Sequence, residues 1–358
     1  MEVGPGLATE ANQPGVRIVD ARGAIVVPGL IDIHAHLYTG VCSLTVPADE
    51  TSSPTGVTTV VSAGDAGANT IEGFRQLIVN AARTRVLAFL HISTIGLASF
   101  PIGESRELGL LDVDAAAAAV SRFPDMIVGV KVRQGGESVT GTNGLEPLRR
   151  ALAVGKAVGL PVMVHITDSD SPIEELLGML GEGDIVTHCF TGSEHSLRQK
   201  GRLSAAAAAA RERGVLFDVG HGAGSFDFDV AELAGKSDFW PDTISTDLHS
   251  ISAAKAKSLP EVMSKMLSVG MPLKEVISAV TDRAARAIGR ADKLGALRVG
   301  SVADIAVLDL VHEPVQFTDT FGHKRSGSER LTARRTIRAG VVWGAPSHPG
   351  IGTAVLAE

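Results

Sequence analysis

From Leu30 onward the chain alternates short apolar, β-branched runs with longer segments whose apolar residues recur at helical spacing. Strands are expected at the run ending in His34 and His36, and then at Val57–Ala63, Arg85–Ser93, Met126–Arg133, Leu160–Ile166, Asp184–Phe190, Gly214–Gly220 and Thr243–Leu248. Helices are expected at Ile71–Arg83, Val113–Phe123, Gly144–Val158, Pro172–Leu180, Ser193–Arg213 and Pro260–Val269. Strand and helix alternating in this way predict an α/β fold, a (β/α)8 TIM barrel, with its chemistry at the C-terminal ends of the strands. The alternative is an open doubly wound sheet, but no Gly-x-Gly-x-x-Gly turn opens an early helix.

The two ends read differently. Val16–Val27 suits two short strands around Ala21-Arg22-Gly23, while Gly300–Leu310 and Leu331–Trp343 suit strands with turns at Gly300-Ser301 and Ala339-Gly340. Residues 1–28 and 297–358 are therefore expected to pair into a small β-sandwich beside a barrel at 29–296, because the termini of a domain often lie close together. Residues 1–15 are polar and carry Gly and Pro, so the N-terminal share of that sandwich is expected to be incomplete.

Composition narrows the class. With 358 residues, 44% of them hydrophobic, the chain can bury a barrel core without disulfide staples. Cys42 and Cys189 are too few for a disulfide framework and read as buried structural thiols. A net charge of −7 without a basic stripe argues against nucleic acid and for small-molecule chemistry. No apolar run reaches the roughly 18–20 residues that cross a bilayer, and Met1–Gly6 lacks a basic, then apolar, leader pattern. A cytoplasmic protein without a membrane partner is the expectation. The alanine tracts Ala115–Ala119 and Ala205–Ala210 have high helix propensity and fall where helices are expected.

Candidate metal ligands sit at or near the ends of the expected strands: His34, His36, Lys131, His165, His188 and Asp247. Two residues apart on a strand, His34 and His36 share a face and can reach one cation, although a lone His-x-His also occurs on edge strands and in turns. An ammonium has no lone pair, so Lys131 alone reads as a strand-end lysine or an anion contact. Desolvated and neutral, however, its amine can add carbon dioxide to become an anionic carbamate able to bridge two cations. Asp247, in Ser245-Thr246-Asp247, also has the chemistry of a helix N-cap.

Taken in order, Pro28-Gly29-Leu30-Ile31-Asp32-Ile33-His34-Ala35-His36, Lys131, His165, His188, Asp247 and the closing run Gly300-Ser301-Val302-Ala303-Asp304-Ile305-Ala306-Val307 resemble the amidohydrolase superfamily over nearly the whole chain. Within it, Gly56–Gly67 and Phe217–Gly222 most resemble a branch labelled deacetylase or dihydroorotase-like, whose studied members are similar to esterases that remove acetyl from α-acetoxy carboxylates such as acetyl-mandelate. The resemblance implies two divalent metals, zinc first and manganese or another ion as alternatives. It places His34, His36 and Asp247 on one metal and His165 and His188 on the other, with carboxylated Lys131 and a hydroxide between them. Dihydroorotase- and allantoinase-type relatives place an arginine two residues after the histidine pair. Here that position is Tyr38. Adenine deaminases carry a glutamate at the position of Lys131.

The implied activity is metal-dependent hydrolysis of an ester or amide, most specifically an acetyl ester of a small α-hydroxy carboxylate, with Asp247 as catalytic base. A cyclic amide or imide hydrolase is the rival, and a non-catalytic scaffold the alternative from another class. Arg133, two residues beyond Lys131, and His221, at a strand end, are candidate substrate contacts, with a salt-bridged rim residue and an indirect hydrogen bond as their plainer readings. His249 reads as a helix-start histidine in water or as a partner of Asp247, and His91 as a core histidine. Phe100–Leu111 reads as a flexible loop over the site. The oligomeric state is open, a homo-oligomer included.

Overall fold

The computed structural model describes residues 19–343. The chain enters through β1 (Ile25–Pro28) and, after Gly29, continues into β2 (Leu30–Ala35). Every residue of β2 and of β3 (Val57–Ala63) is buried, as is most of β4 (Arg85–His91) and β5 (Ile127–Arg133). Strands apolar on both faces belong in a parallel sheet covered on both sides. With β6 (Val162–His165), β7 (Ile185–Thr187) and β10 (Leu216–Asp218) they form a parallel sheet in the order β10-β7-β6-β5-β4-β3-β2.

The expected eighth strand is realised as a closing segment. Thr243 bridges Asp218 and Leu248 bridges Ala35, both parallel, so residues 243–248 join β10 to β2 and complete the TIM barrel. Regular strand geometry fails there because Asp247 has a positive φ of 47° and the buried Asp32 carboxylate takes both the Thr246 N–H and hydroxyl.

Inside the barrel, Ile31, Ile33, Val61, Leu87, Phe89, Val128, Met163 and Ile185 pack with Ala284, Ala285 and Ile288. Burying each large apolar side chain contributes roughly 1.5–3 kcal/mol. This packing plugs the barrel at the end where the strands begin and leaves the C-terminal end for polar groups.

One expected helix is divided. Within Ser193–Arg213, β8 (Arg198–Gln199) and β9 (Arg202–Leu203) make a small hairpin, and the helix runs only over Ala205–Glu212. Lys200 and Gly201 both take positive φ, the geometry of a tight hairpin turn. The Ser204 hydroxyl then accepts from the Ala206 N–H to start the helix. Both alanine tracts are helical.

The ends of the described chain form one antiparallel sheet, ordered β1-β11-β12-β13, in which β11 (Ile305–Thr318) and β12 (Lys324–Arg338) extend past the expected strands and β13 (Val341–Trp343) follows the Ala339-Gly340 turn. Of the two strands expected within Val16–Val27, one is present as β1, and residues 16–18 lie outside the described residues. Leu331 donates its N–H to the Ser264 hydroxyl, fastening the sheet to the helix Leu259–Ser268. Among the described residues no helix is long and apolar enough to cross a membrane.

Candidate metal centre

The strand ends bring His34, His36, Lys131, His165 and Asp247 to the wall of one cavity of about 190 Å³, together with Arg133 and His249. His188 lies against it, its ring centroid 4.4 Å from that of His165 and 5.0 Å from that of His34. Ligand atoms of His34, His188 and Asp247 lie within 4.8 Å of one another. Lys131 Nζ is 3.3 Å from His34 Nε2. Asp247 is no N-cap: its Oδ1 stands 3.0 Å from His36 Nε2 and 3.3 Å from His34 Nε2.

Partners on the far side of each ring decide where its lone pair points. Thr187 donates its hydroxyl to Asp218 Oδ2, so its oxygen accepts from His34 Nδ1, 2.8 Å away, and His34 Nε2 faces the cavity as an acceptor. His188 Nδ1 donates to the Gly220 carbonyl at 2.6 Å, leaving Nε2 buried without a hydrogen-bond partner. His165 is turned the other way: Nε2 donates to the Thr167 carbonyl at 3.1 Å, so Nδ1 carries the lone pair. His36 Nδ1 meets Asp65 Oδ1 at 2.5 Å, and its Nε2 points at Asp247 Oδ1, which is itself buried and without a donor. Lone pairs of His34, His165 and His188 therefore converge with a carboxylate oxygen and the Lys131 amine, which lies 3.3 Å from His34 Nε2. Such a set fits divalent cations.

The electrostatics agree. Burial, aided by the neighbouring Lys131 and histidine charges, holds His34 and His165 well below the ordinary imidazole value, and burial brings His188 down to about 4. All three rings are neutral at pH 7. Burial opposes the charged form of His36 as well, but the Asp65 and Asp247 carboxylates on either side outweigh it and raise that ring to about 9. Burial brings Lys131 down to about 7, so a sizeable neutral-amine fraction exists at neutral pH. For Asp247, burial is outweighed by His34 and its neighbouring histidines, which hold the carboxyl well below the usual range.

Two expectations need correction. His221 does not face the mouth as a substrate contact: it is fully buried, stacked on Phe226, with Nδ1 on the Gly222 carbonyl and Nε2 accepting from Lys265 Nζ at 2.8 Å. Its strand-end position suited either direction, and the following Gly220–Gly222 turn, with positive φ at both glycines, sends the ring into the wall. His249 is not a solvated helix-start residue but a buried cavity-wall residue, its Nε2 3.9 Å from Asp247 Oδ2. The Phe100–Leu111 loop is anchored through Glu104, which is 1% exposed.

The residues that aim the histidines were not singled out from the sequence. Asp65 also accepts from the Leu37 and Tyr38 N–H groups and from the Ser62 hydroxyl. Asp218 gathers the hydroxyls of Thr187, Thr243 and Ser245. The available signal was an acidic residue ending an apolar run, as in Leu216-Phe217-Asp218, or following one, as in Ala63-Gly64-Asp65. Cys42 and Cys189 are both free and buried.

Comparison with known proteins gives a consistent family and divergent activities. The amidohydrolase family matches residues 25–342. A deacetylase of Agrobacterium fabrum is 38% identical over 85% of this chain and 75% of its own length, and a deacetylase of Brucella anthropi is 36% identical over 90% and 83%. Among solved structures, one described as an adenine deaminase superposes with a TM-score of 0.87 at 31% identity, covering 90% of this chain and 88% of that one. Another, described as a dihydroorotase, gives 0.84 at 35% identity over 90% and 86%. The family match runs from β1 into β13 and takes in every one of the converging ligand candidates, so this chain belongs to the amidohydrolase family and is a hydrolase.

Proposed function

We propose that this protein hydrolyses an ester or amide of a small carboxylate-bearing metabolite, most specifically an acetyl ester of an α-hydroxy acid. The reading rests on the convergence of imidazole lone pairs, the Asp247 carboxylate and the Lys131 amine at the closed base of a small cavity. His34, His36 and Asp247 would hold one divalent cation, zinc first among the candidates, and His165 and His188 a second, with Lys131 between them. Such a pair supplies Lewis acidity to a scissile carbonyl and lowers the pKa of water.

The chain's own groups supply the rest. Lys131 Nζ in its neutral form adds carbon dioxide, forming an N–C bond and releasing one proton, which turns a neutral side chain into an anionic ligand. Ionised Asp247 accepts a proton from the attacking water and returns it to the leaving oxygen or nitrogen. Arg133, on the cavity wall, offers a carboxylate seat. A volume of about 190 Å³ suits a small metabolite and excludes a folded polypeptide.

Cyclic amide hydrolysis is the second reading, favoured by the likeness to the structure described as a dihydroorotase. Against it, Tyr38 is buried, donates its hydroxyl to the Thr70 carbonyl and packs edge-on to Phe74, so no cation occupies that position. The chain purified with bicarbonate and without chelator should carry close to two metal equivalents by plasma mass spectrometry and turn over acetyl-(R)-mandelate. Turnover of hydantoin or dihydroorotate alone would replace this reading with the second. Lys131→Ala should lose at least one metal equivalent and with it nearly all turnover.

A further inference from the structure

Next to the ligand cluster, but outside it, lies a buried acid, Glu104, that the reaction as written does not use. Glu104 comes from the loop Phe100–Leu111 and is 1% exposed. Its Oε2 accepts from Arg133 Nη1 at 3.1 Å, and its Oε1 lies 3.4 Å from His91 Nε2. His91 accepts the Ser93 N–H at Nδ1, so the proton of the neutral ring sits on Nε2, which lies near Glu104 Oε1 but makes no hydrogen bond to it. His91 and Lys131 are register partners on β4 and β5, and Arg133 follows two residues later, so this group stands directly beside the proposed metal cluster.

A carboxylate this deep costs several kcal/mol in desolvation unless it is paired. A loop that served only as a cover would fill the position with an apolar side chain. Glu104 instead engages Arg133 through one terminal nitrogen, and Arg133 remains on the cavity wall while Glu104 does not. A guanidinium has five N–H donors in a rigid fork, so anchoring one side fixes the direction of the rest.

We propose that Glu104 is a positioning residue that holds Arg133 as the receptor for the substrate's carboxylate, making the Phe100–Leu111 loop the element that selects anionic substrates. This rests on the reading above that the substrate bears a carboxylate, but not on which bond is cleaved. The pairing accounts for the buried acid, for the anchoring of an irregular loop and for a cavity-wall arginine that keeps donors for a ligand.

The test is equilibrium binding to the metal-loaded full chain, with turnover measured separately so that the two readings fail independently. The probes are α-methoxyphenylacetate, which has the carboxylate but no ester, and its carboxamide, which has the same shape without charge. The unaltered protein should bind the acid in preference to the amide. Glu104→Gln should weaken the acid about tenfold or more, the scale of a charged hydrogen bond, and leave the amide within about twofold. Glu104→Asp, which keeps the charge but draws it back, should fall between them and serves where Glu104→Gln does not fold. Equal weakening of both probes would reduce Glu104 to a structural role and overturn the proposal. So would an unchanged affinity for the acid in a folded variant, or no preference for the acid in the unaltered protein.

Discussion

At the scale of single residues, the candidate site depends on side chains that aim other side chains. Asp65 is the clearest case, because one carboxylate fixes the His36 ring and also gathers the Leu37 and Tyr38 N–H groups and the Ser62 hydroxyl. Asp65→Ala should lower metal affinity about 10–100-fold, the usual consequence of losing a ligand's orienting partner, in competition against a chelator. Protons compete for the same atoms. His36 is raised to about 9 by its two carboxylates, and Lys131 is lowered to about 7 by burial. Metal needs the neutral imidazole and carbon dioxide needs the neutral amine, so each loading step releases a proton. Loading in bicarbonate should therefore rise with pH and fall steeply below about pH 7, where both groups hold their protons. Equal metal content after dialysis at about pH 6 and about pH 8 would remove this linkage.

At the scale of elements, strand ends and tight turns set the geometry of the site. Gly222 has a φ of +57°, and a Cβ there would lie 2.5 Å from Asp247 Oδ2. Gly222→Ala should therefore push the carboxylate off the histidine pair, reducing kcat at least tenfold, since close placement of reacting groups carries much of the rate. Wild-type kcat in a folded, metal-loaded variant would show that Asp247 tolerates the shift. The apolar runs and ligand-bearing strand ends of the barrel were legible in the sequence because burial on both faces leaves a continuous signal, as at Val57–Ala63. The hairpin within Ser193–Arg213 was less so: the strong propensity of Ala205–Ala210 marks the helix that does form, while ahead of it only the Lys200-Gly201 turn signals that the chain is not helical. His34, His36, Lys131, His165, His188 and Asp247 could be listed in advance because each lies at or near the end of an apolar run. The direction of His221 could not, because it depends on Lys265, 44 positions away.

At the scale of the whole molecule, the terminal sheet reaches the cavity. The turn between β11 and β12 lies against the segment that carries Ala223, Gly224 and Ser225, residues of the cavity wall. Thr320 Oγ1 accepts from the Phe226 N–H at 3.0 Å and donates to the Phe226 carbonyl at 2.8 Å, while the Thr320 N–H reaches the same carbonyl. Asp319 Oδ2 accepts from the Phe228 N–H, and Lys255 Nζ donates to the Ala223 carbonyl and also reaches the Thr320 carbonyl. A sheet assembled from both ends of the described chain thus braces one wall of a site built by its middle. Thr320→Val keeps the side chain's shape but removes its hydroxyl, leaving the Phe226 N–H without that acceptor. The unfolding free energy should fall by about 1–3 kcal/mol, the cost of a buried group left unpaired. Because the loosened segment is a cavity wall and not a ligand, metal content should stay the same while KM rises severalfold. Loss of metal together with KM would mean that the sheet supports the ligand cluster itself, and an unchanged KM would confine the hairpin to holding the fold.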